Sequence, residues 1–465
     1  MSELHEECGV FGVFLPGAQD ADVAHIAYYG AYSLQHRGQE AAGMVVNRDG
    51  EFTVHKRLGL VAEVFTEEML TSWTGKAALA HTRYSTRGSN TVANAQPLVA
   101  QTRLGQVAVA HNGNLVNAPV IRELLEDAGV VFHSSSDSEV ILNLISRGST
   151  HGLERALTDT MRTVQGSYAL GILTEDKLVA VRDPNGNRPL LLGALGNGYV
   201  IASESCAIQA VGGTVIRDVE PGEILVITDD GIQSIKKSEK AGLKTCSFEY
   251  IYFARPDSTI DEVSVYESRM RTGAALYREA HVDADLVSGV PESGVVAALG
   301  YAEASGVPFR MTLIKNKYVG RSFIVPSQEL REKAVNVKLN ALRQNVEGKR
   351  IILVDDSIVR GTTSRRLVTL LREAGAREVH FRVASPPVAF PCYFGIDIPS
   401  RDELAASRGL EEIREMLNAD SLAYVSVEGL LDSLGDRHRF CTGCFTGIYP
   451  IAAPVEEEKL VFESR

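Results

Sequence analysis

Cysteine and tryptophan are scarce in this chain: 465 residues carry six of the first and one of the second. So few thiols in so long a chain do not make a disulfide framework, so each is a packing group, a nucleophile or a metal ligand. Long apolar runs are missing too, and Met1 to Glu7 lack the basic and apolar regions of a secretion signal. Basic residues are outnumbered, 47 Lys and Arg against 59 Asp and Glu, for a formal net charge of −12. That balance disfavours nucleic acid or an anionic membrane as the main partner. With 45% hydrophobic residues the chain is neither disordered nor fibrous, and its length suits two or three globular domains. A cytoplasmic protein is expected.

The chemistry is concentrated in a few stretches. Ile351, Ile352, Leu353 and Val354, three of them β-branched, predict a buried strand that ends in two carboxylates, Asp355 and Asp356. Ser357-Ile358-Val359-Arg360-Gly361-Thr362-Thr363 then leads into a helical pattern over 364–374, closed by Gly375. Strand, small-residue loop and helix start together make an anion site, because the first backbone N–H groups of a helix have no intrahelical partner. The loop is not of the Gly-x-x-x-x-Gly-Lys form, so nucleoside triphosphates are not its natural ligand. Two acids beside a phosphate cradle suit a phosphorylated sugar, whose vicinal hydroxyls donate to carboxylates while a metal neutralises diphosphate. A doubly wound strand end would explain a lone Asp-Asp, but not the whole run.

The run resembles the phosphoribosyl pyrophosphate (PRPP) motif of type I phosphoribosyltransferases. The resemblance implies Asp355 and Asp356 on the ribose and the metal, and the backbone through Ser357, Gly361, Thr362 and Thr363 on the 5-phosphate. Ser293, in Pro291-Glu292-Ser293-Gly294, reads by itself as a helix cap; the resemblance puts its hydroxyl at magnesium with the two acids. Around the motif, strands over 285–290, 309–314 and 378–384 alternate with helices, one over 293–305, as in a parallel sheet that binds ligands at its carboxyl ends. The most basic region, from Lys315 through Arg321, Arg331, Lys333 and Lys338, would be a solvated helix face or a lid over departing pyrophosphate; Gly320 and Pro326 allow a hinge, which favours the lid.

At the other end, Cys8 opens a strand-like stretch, Gly9 to Phe14, after seven mostly polar residues without periodicity. Those seven look like a removable leader. Their loss would give Cys8 the chain's α-amine, whose ordinary pKa of about 7.7–8.0 suits a general base at neutral pH. Thiol and base would then share one residue. Arg83, after an Ala-rich strand in His81-Thr82-Arg83-Tyr84-Ser85-Thr86, offers a planar fork for an α-carboxylate. Asn112 and Gly113, after a second strand in His111-Asn112-Gly113-Asn114, could aim an amide and a backbone N–H at an oxyanion. Asp137 precedes a helix over 138–147 and could cap it or hold an ammonium. Each feature alone has a plain explanation: a surface ion pair, a hairpin turn, a cap.

Together they resemble the class II, N-terminal-nucleophile glutamine amidotransferases over residues 8–235. That resemblance implies an αββα sandwich, with Cys8 as nucleophile, Arg83 on the glutamine carboxylate, Asn112 and Gly113 as oxyanion hole and Asp137 on the glutamine amine. His25, His36, His81 and His111 are then structural, and Cys206 is a buried thiol. A polar, patternless stretch over 234–244 separates this unit from a second at 245–465. Four cysteines remain: Cys246, Cys392, Cys441 and Cys444. The last two form a C-x-x-C that is a redox pair or chance, and the four make a set for zinc or an iron–sulfur cluster. Cys441-Thr442-Gly443-Cys444-Phe445-Thr446-Gly447 resembles an iron–sulfur branch of one family, which implies [4Fe–4S].

A glutaminase joined to a PRPP domain implies ammonia transfer from glutamine to PRPP, with phosphoribosylamine, glutamate and pyrophosphate as products, opening purine synthesis. It also implies a homotetramer and feedback by purine nucleotides. A PRPP-sensing regulator is the rival, but it would need a basic DNA-binding unit and would have no use for Cys8.

Overall fold

In the first half, apolar residues on both faces of each central strand demand cover on both sides. The computed structural model describes residues 8–84, 90–236, 242–316, 339–398 and 401–452. Between Gly9 and Lys236 these form two antiparallel sheets, of seven and six strands. Gly9–Phe14 lies inside the first, between Ala77–Arg83 and Gly198–Ala202. Gly105–Leu115 lies inside the second, between Leu98–Thr102 and Gly166–Leu173. Val10 and Phe14 point between the sheets at Ala108, Ala110 and Leu178, while Phe11 and Val13 pack outward on the helix Val23–Ser33. The helices Ala118–Asp127, Asp137–Gly148 and Leu153–Thr163 cover the other sheet through Ile121, Ile141, Ile145 and Leu157. The result is the expected four-layer order of helix, sheet, sheet, helix.

The second half is built on four parallel strands in the order Leu286–Gly289, Arg350–Asp355, Glu378–Val383, Ser421–Tyr424. Ile352 and Val354 share a core with residues of the helices Val265–Glu279 and Val295–Ser305. Ile351 and Leu353 share one with Thr362–Glu373 and Leu410–Leu417. Burial on both faces is why this run is continuously apolar instead of alternating.

Some elements differ from expectation. Residues 309–314 do not extend the parallel sheet: Phe309 makes one isolated bridge to Val287, and Leu313–Lys315 pairs antiparallel with Leu339–Ala341. The cause is local, since Thr312 N–H donates at 3.0 Å to the Ser288 hydroxyl and not to a ladder carbonyl. The helix after Ser293 starts at Val295, with Gly294 as its cap, so Ser293 is not the capping residue. Among the described residues, no helix is long and apolar enough to cross a membrane.

Buried ion pairs fasten the two halves. Arg37 Nη1 and Nη2 donate to Glu249 at 2.9 and 2.8 Å, and Arg182 grips Asp261 through two 2.8 Å bonds. Charges so fully withdrawn from water are tolerated only when paired, so removing one partner costs about 3–5 kcal/mol.

Candidate functional site

Strand register assembles the first site. Gly9 lies opposite Thr82, which sets Cys8 beside Arg83 and Tyr84. Cys8 Sγ donates to the Tyr84 carbonyl at 3.6 Å, and the Cys8 carbonyl accepts from Arg37 Nε at 3.1 Å. Both motifs lie within strands and not in the loops after them: Ala77–Arg83 runs through His81-Thr82-Arg83, and Gly105–Leu115 runs through His111-Asn112-Gly113-Asn114. Neighbouring strands keep the ladder going there, which rules out a hairpin turn at Asn112-Gly113. His81 Nε2, 3.1 Å from the His111 carbonyl, ties the two sheets together at this end.

Asn112 is 1% exposed, and its Nδ2 has no hydrogen-bond partner among the described residues. A buried donor left unmatched costs roughly 1–3 kcal/mol, a cost that a bound oxyanion would remove. Gly113 has φ +146°, and a Cβ there would stand 2.1 Å from the Ser167 carbonyl oxygen, so only glycine fits. Asp137 is the first residue of its helix; the cap is Ser136, whose hydroxyl accepts from Ser138 N–H at 3.2 Å. Asp137 Oδ2 instead accepts from Leu115 N–H at 2.9 Å, and Oδ1 lies 3.6 Å from His111 Nδ1. The carboxylate is thereby fixed to the strand that carries Asn112.

Behind Cys8 lies a network that the sequence did not signal. Arg37 Nη1 donates at 2.7 Å to Glu204, which also meets His36 Nε2 at 2.7 Å. Burial raises the Glu204 carboxyl, but His36 and Arg37 outweigh it and hold the group well below the usual carboxylate range. These partners lie 167 residues and more apart, so no local pattern could have joined them. Cys206 is buried, with Sγ 3.6 Å from Glu204 Oε2, and burial pushes its thiol far up.

His81 has no access to solvent, and burial pushes its pKa from the ordinary 6.5 down to about 3, the His111 carbonyl only partly opposing this. A group depressed in the fold contributes stability that is complete above its unfolded pKa and lost as pH falls toward the folded value. The melting temperature should therefore decline from pH 6.5 toward 3. In His81→Asn it should decline less, so the gap between the two proteins narrows on acidification; thermal scans across that range check it.

At the second site Asp355 ends its strand and Asp356 turns inward, 3% exposed. Asp356 accepts from the Ser357 hydroxyl at 2.5 Å and from the Ser293 hydroxyl. Burial raises its pKa against those two hydrogen bonds and the Arg269 charge. Ser293 thus meets Asp356, 63 residues away. Gly361, at φ +83°, is the helix cap and brings no capping side chain; Thr362 is the first helical residue. A Cβ on Gly361 would stand 2.4 Å from Met416 Cε. Lys338, with Gly320, Arg321, Pro326, Arg331 and Lys333 of the lid, lies outside the described residues, as do Met1 to Glu7.

The four remaining cysteines gather at the junction of the two halves. Thr245–Cys246 pairs in parallel with Phe440–Cys441, Cys246 opposite Cys441. Burial raises the Cys444 thiol, and Cys246, Cys392 and Cys441 add to the rise; burial lifts Cys441 to about 11. All six cysteines are thiols and not disulfides. Among the described residues, no group of three or more His, Cys, Asp or Glu side chains converges closely enough to hold a metal ion. The donor set nevertheless fits a thiolate-bound centre, because two buried and two half-buried thiols, three of which raise the fourth, are what a cation would deprotonate. The second-half segment holding Cys392 also touches the sheets of the first half, with Asn114 Nδ2 donating to Tyr393 O at 2.7 Å. The cysteine-bearing segments therefore lie where the two halves meet.

Two family models match the chain: a glutamine amidotransferase domain over residues 81–210 and a phosphoribosyl transferase domain over 270–385. Over 454 residues the chain is 50% identical to an amidophosphoribosyltransferase of Bacillus subtilis, covering 96% of this chain and 94% of that one. The chain belongs to the amidophosphoribosyltransferases. Another member, from Archaeoglobus fulgidus, is 49% identical, with 97% of this chain and 99% of that one covered. A solved B. subtilis glutamine PRPP amidotransferase, complexed with ADP and GMP, superposes with a TM-score of 0.91 at 48% identity, covering 97% and 98% of the two chains.

An amidophosphoribosyltransferase transfers ammonia from glutamine to PRPP, and this chain does so, giving 5-phosphoribosylamine, glutamate and pyrophosphate in the first committed step of purine synthesis. Its first half is the N-terminal-nucleophile sandwich and its second a type I phosphoribosyltransferase domain. The regulator reading is set aside, since the relatives spanning the whole chain are enzymes.

Proposed function

We propose that amidophosphoribosyl transfer is divided between two reaction centres in this chain, Cys8 releasing ammonia and the Asp355–Thr363 loop consuming it. Removal of residues 1–7 leaves Cys8 with an α-amine that takes the thiol proton. Arg83 holds the glutamine α-carboxylate and Asp137 the α-ammonium. The thiolate attacks the amide carbon, and the oxyanion receives the Asn112 amide and the Gly113 N–H. Collapse to the thioester releases ammonia, and water then frees glutamate. The observation that carries this reading is the buried, unmatched Nδ2 of Asn112, on a strand that His81 ties to the one ending beside Cys8. Intact mass of active protein lacking residues 1–7 supports it; full activity with Met1 retained overturns the α-amine as base.

Ammonia must reach PRPP sheltered from water, where it would be protonated at neutral pH. Asp355 and Asp356 orient the ribose, the backbone from Ser357 through Gly361 to Thr362 and Thr363 holds the 5-phosphate, and Lys338 supplies a cation for the pyrophosphate. Ser293, Asp355 and Asp356 would hold magnesium, which would supply positive charge against the diphosphate. Purine nucleotides act as feedback inhibitors, in keeping with the ADP and GMP of the solved relative, and the enzyme works as a homotetramer in the cytoplasm.

Cys246, Cys392, Cys441 and Cys444 would hold a [4Fe–4S] cluster that staples the two halves. Purified protein should then be brown, with about four irons and four sulfides per chain, and Cys441→Ser should lose both along with thermal stability. Colourless, zinc-replete protein of full activity decides for zinc instead.

A further inference from the structure

The oxyanion strand is braced from outside its own domain. Three consecutive second-half residues, Tyr393, Phe394 and Gly395, lie against Gly113 and Asn114. Asn114 Nδ2 donates to the Tyr393 carbonyl at 2.7 Å. The Phe394 carbonyl accepts from the Ser167 hydroxyl at 2.7 Å and from Arg188 Nε at 3.0 Å. That same Ser167 oxygen accepts from Asn114 N–H at 3.2 Å. Gly395, at φ +109°, sits so close that a Cβ on it would stand 3.2 Å from the Gly113 carbonyl carbon and 3.4 Å from its oxygen. Asn114, Ser167, Arg188 and Phe394 are all 4% exposed or less, so these bonds are made without competition from water.

We infer that Tyr393–Gly395 is a positioning element for glutamine hydrolysis, with Ser167 and Asn114 as positioning residues that act through the Gly113 peptides. This rests on the proposed oxyanion role of Asn112 and Gly113. Gly113 joins two peptide units: the one before it carries the N–H aimed at the oxyanion, and the one after it carries the Asn114 N–H held by Ser167. Gly113 has no Cβ to limit rotation at its φ of +146°, so clamping the second unit is what fixes the aim of the first. The clamp is anchored in the phosphoribosyltransferase half, where Phe394 N–H donates to Cys392 Sγ at 3.3 Å. The glutaminase is therefore complete only with the second half docked. Donors misaligned by a fraction of an ångström stabilise the tetrahedral intermediate less while leaving ground-state binding unchanged.

The test uses full-length Ser167→Ala, which deletes one oxygen, and Gly395→Ala, which presses a methyl on the Gly113 peptide from the other half. With each, kcat for glutamine hydrolysis should fall about 10- to 100-fold. The KM for glutamine, the rate of Cys8 alkylation by iodoacetamide and the ammonia-dependent rate should stay within about two-fold. An unchanged kcat in both variants, or a KM rise without a kcat loss, overturns the inference. So does a matching fall in the ammonia-dependent rate, which marks general damage. Asn112→Ala, measured alongside, separates the two ideas. If it costs kcat while Ser167→Ala and Gly395→Ala do not, only the clamp fails; if it costs nothing, the oxyanion reading fails and takes the clamp with it.

Discussion

Cys8→Ala should abolish glutamine-dependent formation of phosphoribosylamine, lowering it on the order of 10⁴-fold or more, while ammonia supplied as a salt at alkaline pH still reacts with PRPP near the wild-type rate. The size follows from the chemistry: a covalent route has no substitute once its nucleophile is gone, and the oxyanion donors alone retain only a small residual rate. The selectivity follows from the fold. Cys8 heads the Gly9–Phe14 strand of the sandwich, whereas Asp355 and Asp356 end a strand of the parallel sheet. An alanine at position 8 removes Sγ and its contact with Tyr84 O but leaves the Cys8 carbonyl to accept from Arg37. Parallel assays with glutamine and with ammonium chloride decide it; loss of both activities would mean the two centres are not separable.

The complementary result is expected for Asp355→Asn. Rates with either nitrogen source should fall about 10²- to 10³-fold, because the charge proposed to face the ribose and the metal is lost from a buried site, while basal glutamine hydrolysis stays within about three-fold. Asparagine keeps the carbonyl oxygen that accepts Asp356 N–H at 3.0 Å, so the loop keeps its shape and the loss reports charge. Asp356→Asn is a harsher change. Its carboxylate accepts two hydroxyl hydrogen bonds, from Ser293 and Ser357, and an amide nitrogen at either oxygen position would oppose one of them. Pyrophosphate release and glutamate release, followed separately, distinguish these outcomes from a collapse of the whole protein.

Some of this site could be read from single stretches and some could not. The strand through residues 351–354 was legible because burial on both faces leaves an unbroken apolar run, whereas the helix expected over 364–374 starts two residues earlier, at Thr362, because Gly361 caps it at positive φ. Cys8, Arg83, Asn112 and Asp137 stood out in the sequence by their side-chain groups, a thiol, a guanidinium, an amide and a carboxylate, each in a short motif. Their secondary structure was less so. His81-Thr82-Arg83 and His111-Asn112-Gly113 were expected after their strands but lie within them, because neighbouring strands supply ladder partners that override the turn preference of Asn-Gly. Asp137 was weighed as a cap, yet Ser136 does that work and leaves the carboxylate for Leu115.

The sequence by itself determined which groups are present and the local frame of each: a thiol at a strand head, paired acids at a strand end, a small-residue loop before a helix, four cysteines left over. Periodicity, caps and turns act over a few residues, and those features need no more. Tertiary structure alone decided which groups meet. It set Cys8 beside Arg83 through register, joined Arg37 to Glu204 and Glu249 in a buried network, turned Ser293 from a cap into a partner of Asp356, and laid Tyr393 on Asn114 across 279 residues of chain. The reason is that partners in a sheet ladder or a buried ion pair are selected by packing and desolvation over the whole molecule, and no short window of sequence contains that information.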